Sequence, residues 1–154
     1  MEGNVILTPT QILELIPQQR PFRFVDEILE VDENHVVGKY TFRHDEFFYA
    51  GHFPGNPITP GVILLETMCQ IGVVGLAIYL LAKESAVEEA RRIVTLFTDA
   101  EVEFHRPVLP GETVTVRGEK VFWRRHKLRG KVEMFAADGT LVARGTASGM
   151  GVVP

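Results

Sequence analysis

Residues 59–82 read TPGVILLETMCQIGVVGLAIYLLA, and this stretch decides the fold. Threonine followed by proline is a common helix start, so we predict that Thr59 caps a helix whose first position is Pro60. The following run is apolar on nearly every face, which is typical of a helix buried in a core. Its length of roughly 20 residues also suits a bilayer span. Because Glu66 and Gln70 interrupt it, and polar groups are expensive in lipid, we predict a core helix and no membrane span.

The segments on both sides of this helix have the composition and alternation of β-strands. Upstream, a short helix with a capping-box start at residues 8–11 precedes two β-rich runs joined by a polar turn. Downstream, a polar connection over residues 83–92 leads into further strands, one of which alternates with period two so that one face is buried. The predicted strands are residues 22–31, 36–42, 94–104, 113–123, 128–136 and 140–148. We therefore predict an α+β fold, with an antiparallel sheet wrapped around one long apolar helix in a single domain over residues 1–154.

Bulk composition narrows the range of functions. The net charge of −4 offers no electrostatic basis for binding nucleic acid. The single cysteine, Cys69, excludes an intramolecular disulfide and suits a reducing compartment. Residues 1–9 lack the basic and apolar regions of a secretory signal, so we expect a cytoplasmic protein. The group His44, Asp45 and Glu46 has no recognised ligand spacing, and we predict no metal.

Glu66 is a carboxylate inside an otherwise apolar helix. Burial raises the pKa of a carboxyl group, which makes Glu66 a candidate general acid near neutral pH. Gln70 follows four residues later on the same helical face, where its amide can donate to the carboxylate and hold its rotamer. The alternative is a structural glutamate that is satisfied by hydrogen bonds or reaches solvent at the helix start.

A second group of candidates surrounds the start of the helix. His52 lies in a loop, residues 51–57, that is dense in glycine and proline, and histidine suits proton transfer at neutral pH. Gly61 lies in the first turn, where free amides carry positive partial charge and can stabilise an oxyanion. The alternatives are a structural histidine and ordinary helix capping. The combination of base, acid and oxyanion donor favours an acid/base catalyst.

Two strings, GHFPGNPITPGV at residues 51–62 and ETMCQ at residues 66–70, closely resemble the signature of the FabZ/FabA-type 3-hydroxyacyl-acyl-carrier-protein dehydratases, which have the hot-dog fold. The likeness continues at residues 21–26 and 104–112, so it extends over nearly the whole chain. The resemblance carries specific roles onto four positions, namely the base onto His52, the acid onto Glu66, the thioester-polarising amide onto Gly61 and the orienting glutamine onto Gln70. Glutamate rather than aspartate at the acid position is similar to the FabZ branch.

The resemblance also implies a reaction and an assembly. The reaction is the dehydration of (3R)-3-hydroxyacyl-acyl-carrier protein to trans-2-enoyl-acyl-carrier protein in fatty-acid or related biosynthesis. It needs no cofactor, because the substrate is carried on the phosphopantetheine of the acyl carrier protein. The implied assembly is a homodimer in which His52 of one chain faces Glu66 of the other. FabZ-type dimers commonly associate further into hexamers as trimers of dimers.

Several features leave alternatives open. The sequence departs from the family's usual residues at Thr59, Thr67, Cys69 and residues 18–20, all of which bear on the shape of the acyl tunnel. A basic cluster either attracts the acidic carrier or its phosphate, or is a solvated hairpin; its members are Arg124, Arg125, Lys127 and Arg129, with His126 between them. An acyl thioesterase and a non-catalytic acyl-binding scaffold are the rival functions. Release of free thiol would favour the first, and binding without turnover the second.

Overall fold

The computed structural model describes residues 5–154, so residues 1–4 of the predicted domain lie outside the described residues. Its framework is a six-stranded sheet in the order β1-β2-β4-β5-β6-β3, in which every neighbouring pair is antiparallel. The strands are β1 (Glu27–Val31), β2 (His35–Thr41), β3 (Val94–Phe104), β4 (Thr113–Arg124), β5 (Lys127–Ala136) and β6 (Leu141–Val152). The helices are α1 (Pro9–Leu15), α2 (Gly61–Cys69), α3 (Leu76–Glu84) and α4 (Val87–Arg92). The predicted α+β architecture is confirmed.

A continuous central helix, residues 61–84, forms the core of the fold. It consists of α2, a π-helical segment over Gln70–Gly75, and α3. It lies directly on the sheet because Gly72 faces Gly118 of β4, where an added Cβ on Gly118 would come within 2.5 Å of the Gly72 Cα. The helix has the length and apolar composition of a membrane span, yet 72% of its most apolar window is buried inside the protein. That burial is the environment expected of a core helix.

The structure corrects three local predictions. β1 begins at Glu27 rather than residue 22, because the Phe24 amide donates to the Gln70 side chain instead of joining the ladder. The central helix begins at Gly61 with Pro60 as its cap residue. Thr59 is no cap, since its hydroxyl bonds the Tyr49 hydroxyl at 2.6 Å.

The connection after the central helix also differs from the prediction, because it contains a short helix, α4. Its first turn holds Glu88 and Glu89, and its last turn holds Arg91 and Arg92. Acidic residues at a helix start and basic ones at its end complement the helix macrodipole, so this order of charges in the sequence indicates the helix that the prediction missed.

The buried face predicted for β3 is not buried in the single chain. β3 is an edge strand that pairs only with β6, and its side chains at Leu96 and Phe104 are 55% and 47% exposed. A register shift after Phe97 reverses the alternation, so Phe97, which is 50% exposed, lies on the same face as Phe104, and Leu96 lies on the other face. A long, exposed strand edge of this kind is a template for pairing with another chain.

Candidate active site

Glu66 opens into a narrow cleft between the central helix and the strands β3 and β6. The cleft has a volume of about 40 Å³, and its walls are mostly apolar. They are formed by Gln18, Glu66, Cys69, Val73, Val74, Thr95, Phe97, Ser148 and Gly149. Desolvation in this cleft raises the pKa of Glu66, and a hydrogen bond from Gln70 partly opposes the rise. The carboxyl group therefore holds its proton at a higher pH than an exposed glutamate.

Gln70 fixes the Glu66 carboxylate to the backbone of the segment before β1. The fully buried Gln70 donates from Nε2 to Glu66 Oε2 at 2.9 Å and to the Phe22 carbonyl at 2.9 Å. Its Oε1 accepts from the Phe24 amide at 2.7 Å. Both ends of the amide are thus engaged, and the Glu66 side chain has one held orientation. The i, i+4 spacing predicted this contact, whereas the anchoring to Phe22 and Phe24 has no signal in the local sequence.

His52 is held by the loop that leads to the central helix. Its Nδ1 lies 2.8 Å from the Ile58 carbonyl, and its ring stacks on that of Phe53. A carbonyl can only accept, so Nδ1 carries a proton, and in the neutral ring Nε2 is the acceptor. The loop is closed by hydrogen bonds in both directions between Phe53 and Asn56, and the peptide bond between His52 and Phe53 is cis.

Gly61 presents an unused amide at the start of α2. The first intrahelical donors are the amides of Ile63 and Leu64, both directed to the Pro60 carbonyl. Within residues 5–154 the Gly61 amide has no acceptor, as expected at a helix start. A Cβ on Gly61 would meet the Phe104 ring at an ordinary 3.5 Å, and an open cleft lined by Gly61 and Phe104 reaches this turn beside β3.

The chain brings some of the predicted residues together and separates others. Glu66 and Gln70 are hydrogen-bonded, and Glu66 lines the narrow cleft. Gly61 lines a separate, open cleft with Phe104, and His52 lines neither of the two. Within residues 5–154, His52 therefore does not line the cleft that Glu66 lines.

The basic cluster lies on the hairpin between β4 and β5. Arg125 and His126 adopt left-handed backbone angles at its turn. Arg129 is paired with Asp99 at 3.2 Å and donates to Ser148. Arg124 and Lys127 form no ion pair with any residue of the 5–154 range. The free positive charge is thus concentrated at the tip of the hairpin.

The sequence did not identify every residue of the cleft. Gln18, Thr95 and Ser148 come from three distant segments and line the same space as Glu66. Cys69 also lines the cleft, and burial raises the pKa of its thiol. In the described part of the chain, no three histidine, cysteine or acidic side chains lie close enough to hold a metal ion.

Comparisons with known proteins identify relatives of this chain. A family model described as a FabA-like domain matches residues 16–147. The chain is 35% identical over 141 residues to the 3-hydroxyacyl-acyl-carrier-protein dehydratase FabZ of Herpetosiphon aurantiacus, covering 91% of this chain and 94% of the relative.

Two solved structures share the fold. The dehydratase heterocomplex ApeI:P of Xenorhabdus doucetiae matches with a TM-score of 0.72 at 17% identity, covering 96% of this chain and 92% of the other. A thioesterase from Haemophilus influenzae matches with a TM-score of 0.67 at 14% identity, covering 99% and 96%. At these identities the likeness shows the hot-dog fold alone, and that prediction is confirmed.

Proposed function

Because the chain belongs to the FabA-like family and is a 3-hydroxyacyl-acyl-carrier-protein dehydratase of the FabZ type, we propose that His52 is its catalytic base and Glu66 its catalytic acid. The enzyme removes water from (3R)-3-hydroxyacyl-acyl-carrier protein and forms the trans-2-enoyl thioester. The observation that carries the assignment is the held carboxyl group of Glu66, whose pKa burial raises in an otherwise apolar cleft. A protonated acid at this position can protonate a poor leaving group.

The proposed elimination uses three groups, namely the Gly61 amide, His52 and Glu66. The thioester carbonyl accepts a hydrogen bond from the Gly61 amide, which stabilises negative charge developing on that oxygen. His52 Nε2 takes the proton from C2, the C2–H electron pair becomes the second bond between C2 and C3, and the C3–O bond breaks. The departing oxygen takes the proton of Glu66 and leaves as water. The reverse sequence hydrates the enoyl product.

The protonation states of His52 and Glu66 change during the reaction. After one turnover His52 is protonated and Glu66 is ionised, so a net proton transfer from His52 to Glu66 resets the site.

The dehydration is redox-neutral, and we propose that it uses no cofactor and no metal. Full activity after exhaustive dialysis against a chelator is the expected result, and a loss that added divalent metal restores would contradict it.

The acyl chain is proposed to follow the central helix away from Glu66. A second, largely apolar cleft shares Val74 and Thr95 with the Glu66 cleft. It continues along α3 past Ile78 and Leu81 and ends near Trp123. Apolar walls suit a hydrocarbon chain, because burying each methylene group is favourable by about 0.8 kcal/mol.

The carrier protein is proposed to dock at the basic hairpin. Arg124, Arg125 and Lys127 provide positive charge at its tip, while Arg129 contributes less because Asp99 neutralises it. Complementary charge mainly accelerates association with an acidic partner and fixes its orientation. The same hairpin carries Trp123, which lines the second cleft.

The working unit is proposed to be a homodimer. The exposed edge of β3 offers unpaired backbone groups beside Leu96 and Phe97, and the Glu66 cleft borders this strand. Association along β3 would bring a second chain next to Glu66. This arrangement supports a composite site in which the partner supplies the base that the Glu66 cleft lacks. We propose that such dimers associate further into hexamers and act in the cytoplasm.

Mixing two inactive variants tests the composite site. His52→Ala and Glu66→Gln homodimers are each expected to be inactive. After they are mixed under conditions that exchange subunits, each heterodimer has one intact pair, and about a quarter of all sites regain activity. If base and acid come from the same chain, mixing restores nothing. Mass measurement in solution distinguishes dimer from hexamer in the same samples.

The reaction itself is tested with a purified 3-hydroxyacyl-carrier thioester. Enoyl absorbance should rise with wild-type protein and stay flat with Glu66→Gln. Full activity of Glu66→Gln would refute the assigned acid. Release of free thiol without enoyl formation would instead indicate a thioesterase.

A further inference from the structure

Gln18 has a polar atom that the protein itself leaves unused. It follows α1 and Pro17, and its side chain lines the Glu66 cleft. Its Oε1 is the one buried side-chain nitrogen or oxygen atom in residues 5–154 without a hydrogen-bond partner. Buried polar atoms in native structures are almost always paired, so an unpaired acceptor in a ligand cleft needs an explanation.

Two other polar side chains of the cleft wall already have hydrogen-bond partners within the protein. Glu66 Oε2 accepts from Gln70, and the fully buried Ser148 accepts from Arg129 at 3.0 Å. The side chains of Val73, Val74 and Phe97 around them offer no acceptor. A donor that enters the cleft beside Glu66 meets the Gln18 carbonyl oxygen, the buried side-chain acceptor that has no partner within residues 5–154.

We propose that Gln18 orients the 3-hydroxyl group of the substrate by accepting its hydrogen at Oε1. This inference rests on the proposed role of Glu66. A hydroxyl group that receives a proton from Glu66 must point a lone pair at the acid, so its own hydrogen must point elsewhere. Gln18 provides that second direction.

The hydrogen bond to Gln18 is kept through the elimination. The C3–O bond breaks, its electron pair stays on the oxygen, and that oxygen takes the proton of Glu66. The water that forms leaves with its original hydrogen still directed at Gln18. The hydrogen bond from the substrate to Gln18 therefore involves the leaving hydroxyl group and not the acyl chain.

Substrate pairs that differ only at the hydroxyl group give a direct test. Binding is measured in a His52→Ala background, where the base is missing and the ligand is not consumed. The probes are the 3-hydroxybutyryl and butyryl thioesters of pantetheine. In this background we compare Gln18 itself with Gln18→Met, which keeps an unbranched chain of similar size but offers only a weak sulfur acceptor. Gln19→Met is the matched control, because the exposed Gln19 is the adjacent glutamine and donates to the Ile16 carbonyl.

The expected result is a selective loss. Gln18→Met should bind the hydroxybutyryl thioester roughly threefold to tenfold more weakly, the worth of one ordinary hydrogen bond, and bind the butyryl thioester unchanged. Gln19→Met should change neither. Gln18→Leu, which has no acceptor at all, should reproduce the selective loss, and melting curves establish that each variant is folded.

Two outcomes overturn the inference. Equal weakening of both probes would mean that the substitution reshapes the cleft, and equal binding of the hydroxybutyryl thioester by all variants would mean that Gln18 does not contact the hydroxyl group. Dehydration by wild-type protein, and its loss in Glu66→Gln, test the proposed function separately. If the wild-type protein is active but the Gln18 variants bind the hydroxybutyryl thioester as well as Gln18 itself does, only this inference is refuted.

Discussion

Replacing Gln70 with methionine should lower the free energy of unfolding and move the alkaline limb of the pH–rate profile to higher pH. Gln70 is fully buried and makes hydrogen bonds to Glu66, Phe22 and Phe24. Methionine has a similar volume, so the substitution removes these bonds without opening a large cavity. The perturbation is therefore mainly a loss of polar contacts.

The size of the stability loss follows from the groups left behind. The Phe24 amide becomes a buried donor without a partner, which costs about 1–3 kcal/mol, and the part-buried Phe22 carbonyl adds a smaller amount. A total of about 2–4 kcal/mol corresponds to a decrease in Tm of roughly 5–10 °C for a chain of this size.

The same substitution should also change the pKa of the proposed acid, Glu66. The hydrogen bond from Gln70 lowers the pKa of Glu66, against the larger effect of burial, which raises it. Removing Gln70 should raise the pKa of Glu66 further. Since Glu66 acts protonated, the alkaline limb of kcat should move to higher pH, while kcat itself falls by about tenfold because the carboxyl group is no longer held.

The assay is enoyl formation measured from pH 5 to 10, together with thermal melting. Thr67→Val is the matched control, because the buried Thr67 hydroxyl bonds only the Ile63 carbonyl on the same helix. This control should leave the alkaline limb in place. An alkaline limb that stays fixed or moves to lower pH in Gln70→Met would refute the assigned coupling between Gln70 and Glu66.

Four further predictions concern the acid, the oxyanion donor, the carrier and the dimer. Glu66→Gln should reduce kcat at least a hundredfold. It should also melt higher than wild type at alkaline pH: the folded-state pKa of Glu66 is raised, so its contribution to stability is complete below the unfolded-state pKa and is lost as pH rises through the folded-state pKa. A melting temperature below that of wild type at alkaline pH would contradict this sign. Gly61→Pro removes the amide hydrogen at a position where proline is tolerated, and should reduce kcat by about 10²–10³-fold. Gly61→Ala, whose Cβ meets Phe104 at an ordinary 3.5 Å, should stay within a few-fold, and equal losses would point to packing instead. Arg124→Glu with Arg125→Glu should raise KM for carrier-linked substrate about tenfold and spare a pantetheine thioester, whereas a rise for both would place the effect in the cleft. Phe97→Lys on β3 should yield monomers in analytical ultracentrifugation, while Leu29→Lys on the opposite sheet edge, β1, should not; a dimer that survives Phe97→Lys would exclude the β3 interface.

The sequence alone predicted the features whose cause is local. Apolar residues on nearly every face of residues 61–82 predicted a core helix, and the alternation over residues 128–136 predicted the buried side of β5, whose alternate residues are all buried. The Glu66–Gln70 contact follows from helical geometry, which brings residues four apart onto one face. Two further candidates also came from local sequence. The loop at residues 51–57 indicated His52, and the predicted helix start indicated Gly61.

Only the tertiary structure decided which residues that are distant in sequence lie next to each other. Gln70 takes the Phe24 amide away from the sheet, and this shortens β1. Gln18 enters the Glu66 cleft from the segment after α1, and Thr95 and Ser148 enter it from β3 and β6. The alternation in β3 predicted one apolar face, but a register shift after Phe97 divides its apolar residues between both faces, and the edge position leaves Leu96, Phe97 and Phe104 exposed in the single chain. Local periodicity specifies which face of an element is apolar, whereas the surface that covers this face is selected by the packing of the whole sheet.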